Sequence, residues 1–169
     1  MVRFSRSPFF KLRSDNSISV TLPTEVRETL VHLADELRQS IETDSDDVRR
    51  LFPTAYPDDA SRDAGYQVFS RSELIDGRHE RIDVLEQTAH ATTVSISQLG
   101  AWLKVVNDLR LILGTRLDIS EETSLMNFDA SQYDKPEAAL HQLALYEALG
   151  ELLVHIVDAL TGTLPPDEE

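Results

Sequence analysis

The sequence predicts a mainly α protein, a helical bundle with a small N-terminal β-hairpin. Three observations carry this. Apolar residues recur at three- and four-residue spacing over several long stretches, period-two alternation appears early at Ile18-Ser19-Val20-Thr21-Leu22, and side chains suited to starting helices precede two of the apolar stretches. A chain of 169 residues fits one domain spanning 1–169, with residues 1–22 as the hairpin, 23–162 as the helical bundle and 163–169 as a frayed tail.

In order along the chain, Phe9, Phe10 and Leu12 form an apolar run, Ser14-Asp15-Asn16-Ser17 is turn chemistry, and the alternation that follows puts Ile18, Val20 and Leu22 on one face. Pro23 then opens a helix to about Glu42, because a missing N–H costs little at a helix start, and Val26, Leu30, Leu33, Leu37 and Ile41 make one apolar stripe. Asp44 to Phe52 reads as a short helix stopped by Pro53, followed by a loop whose acids after Pro57 suit the cap of the next helix. Residues 60–90 are helical in pattern, expected as two pieces because Gly77 weakens the middle. His90 to Val94 reads as a connector.

Ser95-Ile96-Ser97-Gln98 is a capping box, and the helix it opens is the most informative in the chain. Leu99, Trp102, Val106, Leu109 and Leu113 share one face. Gly100, Asn107, Leu111 and Gly114 share another, where the glycines would admit a close neighbour. A helix that is apolar on more than one side is surrounded, so this one is expected at the centre of the fold. Asp134-Lys135-Pro136-Glu137 reads as a second capping box, starting a helix that ends near Gly162 and carries Leu145, Leu149, Leu152, Leu153, Ile156, Val157 and Leu160.

The net charge of −14 narrows the function classes. Residues 1–13 hold Arg3, Arg6, Lys11 and Arg13 and no acid, so the remainder carries −18. DNA presents a dense line of phosphates that a binding protein must neutralise, and a body this acidic repels it, leaving only the N-terminal segment for contact. Most simply, the charge serves solubility. With no cysteine, disulfides, thiolate metal sites and thiol nucleophiles are excluded, and Met1 and Met126 are the remaining oxidisable sulfurs. No apolar run approaches the ~20 residues of a membrane helix, and the first residues lack the apolar core of a signal peptide, so a cytoplasmic protein is expected.

No constellation points to catalysis, and no enzyme activity, cofactor or metal is expected. The histidines at 32, 79, 90, 141 and 155 are scattered. Glu147, Glu151 and His155 lie one turn apart, but a two-metal carboxylate bundle uses Glu-x-x-His at three-residue spacing on two helices. A surface Glu151–His155 pair is therefore expected. There is no glycine-rich phosphate loop and no Gly-x-Ser-x-Gly elbow. Lys104 and Asp108 are expected to pair on the open side of their helix. Arg110, on a partly covered face, needs a partner to be tolerated: either an acidic ligand or, as expected here, an internal carboxylate.

The strand Ser17 to Leu22, running through Pro23 into an amphipathic helix, looks like the first half of a ribbon-helix-helix, and Ser70-Arg71-Ser72-Glu73-Leu74-Ile75 like the start of its second helix. Almost thirty residues separate the two helices where that motif has a short turn, and the preceding hairpin would occupy the strand's edge.

Leu51-Phe52-Pro53-Thr54-Ala55-Tyr56-Pro57-Asp58-Asp59, together with Trp102-Leu103-Lys104-Val105-Val106-Asn107-Asp108-Leu109-Arg110-Leu111-Ile112-Leu113-Gly114-Thr115-Arg116-Leu117, resembles the AosR-type actinobacterial family. The resemblance covers nearly the whole chain. Its motif positions here are Pro53, Tyr56, Pro57, Asp58, Trp102, Asn107, Asp108, Arg110, Gly114 and Arg116. It implies a cytosolic oxidative-stress transcriptional regulator whose switch is an intramolecular cysteine pair; with no cysteine here, that switch does not carry over. The function expected is regulation of transcription through a protein partner such as the transcription machinery. The alternative is direct DNA binding by the N-terminal β-ribbon. A homodimer is also expected, with the 135–161 helix in its interface, because Leu145, Leu149, Leu152 and Ile156 make one stripe and Leu153, Val157 and Leu160 another beside it.

Overall fold

A computed structural model describes residues 7–119 and 128–163. Arg3 and Arg6 of the basic segment, Met126, and the tail from residue 164 lie outside the described residues. Strands β1 (Phe10–Leu12) and β2 (Ser17–Val20) form the expected hairpin, with Phe10 paired to Val20 and Leu12 to Ile18. The turn suits its residues: Asn16 takes a positive φ of 60°, and the Asp15 carboxylate accepts from the Ser17 N–H at 3.0 Å. The hydrogen bonds from Ser17 hold the Asp15 carboxyl below its ordinary range.

The stretch expected as a connector contributes a third strand, β3 (Thr93–Ser95), antiparallel to β2 with Ile18 opposite Val94. The order is β1-β2-β3, so β2 is paired along both edges. A hairpin alone would leave β2 with a row of unsatisfied N–H and C=O groups, and the β-branched Thr93 and Val94 cover it. Ile18, Val20, Leu22 and Val94 turn one face of the sheet into the core.

Four α-helices lie among the described residues: α1 (Thr24–Glu42), α2 (Ala60–Thr88), α3 (Ile96–Arg116) and α4 (Pro136–Thr161). In α1 the inward line is Arg27, Leu30, Ala34, Leu37 and Ile41, with Leu33 beside it, whereas Val26 is exposed. The guanidinium of Arg27 enters the interior because carbonyls satisfy it: Nε donates to Leu22 O at 2.9 Å, Nη2 to Val20 O at 2.9 Å, and Nη1 to Ala89 O and Ala91 O at 2.7 and 2.8 Å. A buried cation is tolerated when oxygens meet its N–H groups, and four of the five here are met. One side chain thereby ties β2, the start of α1 and the α2–β3 connection together.

Helix α2 is continuous through Gly77, not two pieces. An interior glycine costs about 1 kcal/mol relative to alanine, less than is gained by completely burying Ile82 and Leu85 just beyond it. Residues 60–77 of the same helix hold no fully buried side chain, and of their large apolar residues Ile75 alone packs, half-buried, against the core.

The capping box of α3 forms in both directions, Gln98 N to Ser95 Oγ at 3.1 Å and Ser95 N to Gln98 Oε1 at 2.8 Å. The helix is central as expected, packed by α1, α2, α4 and the short 3-10 turn Asp46–Arg50. Leu99, Trp102, Val106, Leu109 and Leu113 are buried, and so is a second line, Val105, Asp108, Ile112 and Thr115. Trp102 is fully enclosed, edge-on to Phe10, with its Nε1 donating to Thr88 Oγ1 at 2.8 Å.

At the start of α4 the second capping box does not form. Pro136 takes the first helical position, which its fixed φ suits, so the cap falls on Lys135 and no side chain closes it. Asp129 instead caps the preceding 3-10 turn, accepting from Ser131 N at 3.0 Å. Leu149, Leu152 and Ile156 of α4 are buried and Leu145 half-buried; in the neighbouring stripe Leu153 and Leu160 are half-buried and Val157 is exposed. Among the described residues no helix is long and apolar enough to cross a membrane.

Candidate functional site

The two motif stretches, some fifty residues apart in sequence, meet around the 3-10 turn Asp46–Arg50. The residue that joins them is Arg78 of α2. Its Nη2 donates to Leu51 O at 2.9 Å, its Nε lies 3.2 Å from Asp108 Oδ2, and its guanidinium sits 4.9 Å from the centre of the Phe52 ring. Asp108 is therefore not on the open side with Lys104 but buried against Arg78. Val105, Asp108, Ile112 and Thr115 repeat at three- and four-residue spacing, and that register turns the carboxylate inward. Burial pushes its carboxyl above the ordinary range, and the nearby charges of Arg78 and Arg81 only partly offset this.

A second strut links Arg116 to the turn, with Nε 2.6 Å from Asp47 Oδ2. Burial pushes the Asp47 carboxyl up, but hydrogen bonds from Ser45 and Arg116 and the Arg116 charge outweigh it and leave it below its usual range. Gly114 is the close approach foreseen on α3: a Cβ there would lie 3.3 Å from both Arg50 Nη1 and Tyr146 Cε2. Gly100, by contrast, has open space beside it. Arg110 does not use a carboxylate among the described residues. Its guanidinium lies 4.3 Å from the centre of the Tyr146 ring and packs against Gly150, so an aromatic face takes the place of the expected ion pair.

In the loop before α2, Asp59 rather than Asp58 caps the helix, accepting from Arg62 N at 2.9 Å. Asp63 reaches back to accept from the N–H groups of Ala55 and Tyr56 at 2.7 and 3.1 Å. Tyr56 packs edge-on to Tyr66 and under the Arg62 guanidinium. Pro53, Pro57 and Asp58 are exposed, as is Asn107 on α3, while Trp102 belongs to the core. The structure thus brings Asp108, Gly114 and Arg116 to the turn through contacts with Arg78, Arg50 and Asp47, leaves Arg110 beside them on Tyr146, and separates Trp102 and Asn107 from the group.

Where the turn meets the first half of α2, an open groove of about 660 Å³ is lined by Arg49, Arg50, Arg71, Phe52, Pro53 and the acids Asp44 and Asp46. Asp44 pairs with Arg71, which also lies over the Phe52 ring. Among the described residues Arg49 and Arg50 have no carboxylate partner. The fixed fork of donors on a guanidinium suits a carboxylate or phosphate. The cavity between α1 and α3, at about 10 Å³, has room for a water and nothing larger.

The expected Glu151–His155 pair is not made. The His155 ring turns to Phe9, edge-on at 5.2 Å, and its buried Nδ1 has no hydrogen-bond partner among the described residues. Among those residues no group of three or more His, Asp or Glu is placed to hold a metal ion.

Arg27, Arg50, Arg71, Arg78 and Asp47 were not singled out in the sequence. A signal for two of them was present. Arg27 falls on the repeat of Leu30, Ala34, Leu37 and Ile41, and Arg78 on that of Ile82 and Leu85, so each is a cation in a buried register.

A family model described as "Domain of unknown function (DUF2017)" matches residues 6–160. No curated protein and no solved structure matches the chain.

Proposed function

The chain belongs to the DUF2017 family, and from that premise we propose that it is a non-enzymatic, cytoplasmic regulator of transcription of the AosR type, acting through a protein partner and without a thiol switch. The observation that carries this reading is the arginine-bearing groove where the 3-10 turn and the first motif stretch meet α2. Its cations stand beside the Phe52 ring and Pro53, a mixture of charge and apolar surface suited to a polypeptide segment bearing acidic and apolar side chains. The groove is also rigidly framed: Arg78, Asp108, Arg116 and Asp47 hold it without occupying it. The protein works as a homodimer in this reading.

Direct DNA binding by the β-ribbon is the weaker alternative. A ribbon-helix-helix strand pairs with its copy in a second chain, and β2 already has β1 on one edge and β3 on the other. The excess of acids in the body opposes phosphate contact as well.

Affinity capture from a lysate of the source cells tests the proposal, comparing the tagged chain with its Arg49→Glu/Arg50→Glu variant. Polymerase-associated proteins are expected with the wild type and lost with the variant, with helical circular dichroism unchanged. Nanomolar, sequence-dependent mobility shifts on DNA at about 150 mM salt would overturn it in favour of the alternative.

A further inference from the structure

The most exposed large apolar side chains among the described residues are not on α4. Phe69 is 81% exposed and Val68 75%, with Tyr66 and Leu74 also open, all in the first half of α2. The inward side of this half-helix is taken up by Asp63, Gln67 and Arg71, which hold the loop and the turn through Ala55, Tyr56, Pro53 and Asp44. The outward side carries Arg62, Gly65, Val68, Phe69 and Glu73; Arg62 lies over the Tyr56 ring at its edge, and Val68 and Phe69 stand open. We infer that this outward face is the contact between two copies of the chain, with the first halves of the two α2 helices packed antiparallel.

Charge selects a second copy as the occupant. Two bodies of −14 repel one another, so they approach most easily where the local charge vanishes. Between residues 60 and 75 the charges are Arg62 and Arg71 against Asp63 and Glu73, which cancel. The pattern is also self-complementary. With a two-fold axis passing near residue 67, Phe69 of one chain lies opposite Gly65 of the other, and Arg62 lies within a turn of the other chain's Glu73. A Cβ added at Gly65 would meet nothing within 4 Å, so the notch that would receive the ring is open. A two-fold contact of this kind uses the same patch twice and closes on itself. On α4 the open large apolar side chains, Leu140, Val154 and Val157, are 52%, 60% and 46% exposed, each less than Val68 or Phe69, while Leu153 and Leu160 are half-covered.

The inference rests on the homodimer reading above and relocates its interface. A pair of half-helices makes a contact at the small end of the stable range, so association in the micromolar range is expected. Sedimentation of the full chain from about 1 to 500 µM should show a monomer–dimer equilibrium of that strength. The equilibrium should tighten as salt rises, because screening relieves the repulsion between the two acidic bodies. Phe69→Glu should weaken dimerisation at least tenfold with the circular dichroism and melting curve of the monomer unchanged. Arg62→Glu should weaken it too, and Arg62→Glu/Glu73→Arg should restore it, a rescue that a purely structural role for either side chain would not produce. A dimer that ignores Phe69→Glu but dissociates on Val157→Glu would overturn the α2 contact and leave the homodimer standing. A chain that sediments as a monomer at every concentration would overturn both, without touching the partner groove, whose test is capture.

Discussion

Along α2, Ile82 and Leu85 are completely buried, whereas Val68 and Phe69, a few turns earlier, are 75% and 81% exposed. The backbone is one helix throughout and the surroundings are opposite. The later half lies against α1 and α3 and is held by packing. The earlier half is held by polar ties to the 3-10 turn and the loop before it, through Asp63, Gln67 and Arg71. Arg78 stands at the boundary and belongs to both, donating to Leu51 O on one side and pairing with Asp108 on the other. The difference teaches that a helix in this fold is continued by whatever fixes its ends, and that the exposed half is free to serve as a surface because stability is supplied elsewhere.

The largest effect should come from breaking the boundary. Asp108→Ala leaves the Arg78 guanidinium buried without its carboxylate and should cost about 3–5 kcal/mol in urea unfolding. Replacing both partners, as Arg78→Met/Asp108→Leu, should return most of that loss, since an apolar pair has no charge to desolvate. A double variant no more stable than Asp108→Ala would show that the bond to Leu51 O, rather than the ion pair, holds the boundary.

A smaller effect, of opposite sign at two carboxylates, is expected from pH. Asp47 is held below its ordinary range in the folded chain, so its contribution is present above the unfolded pKa near 3.8 and lost as pH falls through the folded value. Asp108 is held above that range, so the folded state keeps its proton more tightly and stability declines as pH rises from 3.8 through the raised value. Urea midpoints measured between pH 2.5 and 7 should therefore show Asp47→Asn converging on the wild type in acid. Asp108→Asn should compare least favourably with the wild type in acid and gain on it towards neutrality. Parallel curves for both variants would refute the assignment.

The smallest effect belongs to the exposed half. Phe69→Ala, measured at nanomolar concentration by the fluorescence of Trp102, should change stability by no more than about 0.5 kcal/mol. A loss several times larger would mean that the outward face is covered and the contrast between the two halves of α2 is wrong.

Much of the fold was legible. The hairpin with the inward face of its second strand, the capping box at Ser95 and the central place of α3 all follow from local patterns, because each depends on residues within a few positions of one another. What failed did so for a shared reason. Val26 is expected on the apolar stripe but is exposed, and the neighbouring Arg27 turns inward because four carbonyls satisfy it, two of them from the distant α2–β3 connection. The third strand does not show in the sequence because three residues, two of them β-branched, carry little signal until β2 offers an edge. The motif residues at 108, 114 and 116 could be picked out, but not their partners. Arg78, Arg50 and Asp47 lie between 30 and 69 residues away in sequence, and only folding sets them side by side.

By itself the sequence determined which segments are helical, which faces are apolar and that no thiol chemistry is available, since these are consequences of residue type and spacing. Only the tertiary structure decided which charges are buried and what satisfies them, that Arg49 and Arg50 line an open groove, and that the first half of α2 keeps an uncovered apolar face. The physical reason is the range of the interactions. Propensity, capping and amphipathic register act within a turn or two of the chain, whereas the cost of a buried guanidinium depends on oxygens brought to it from across the fold.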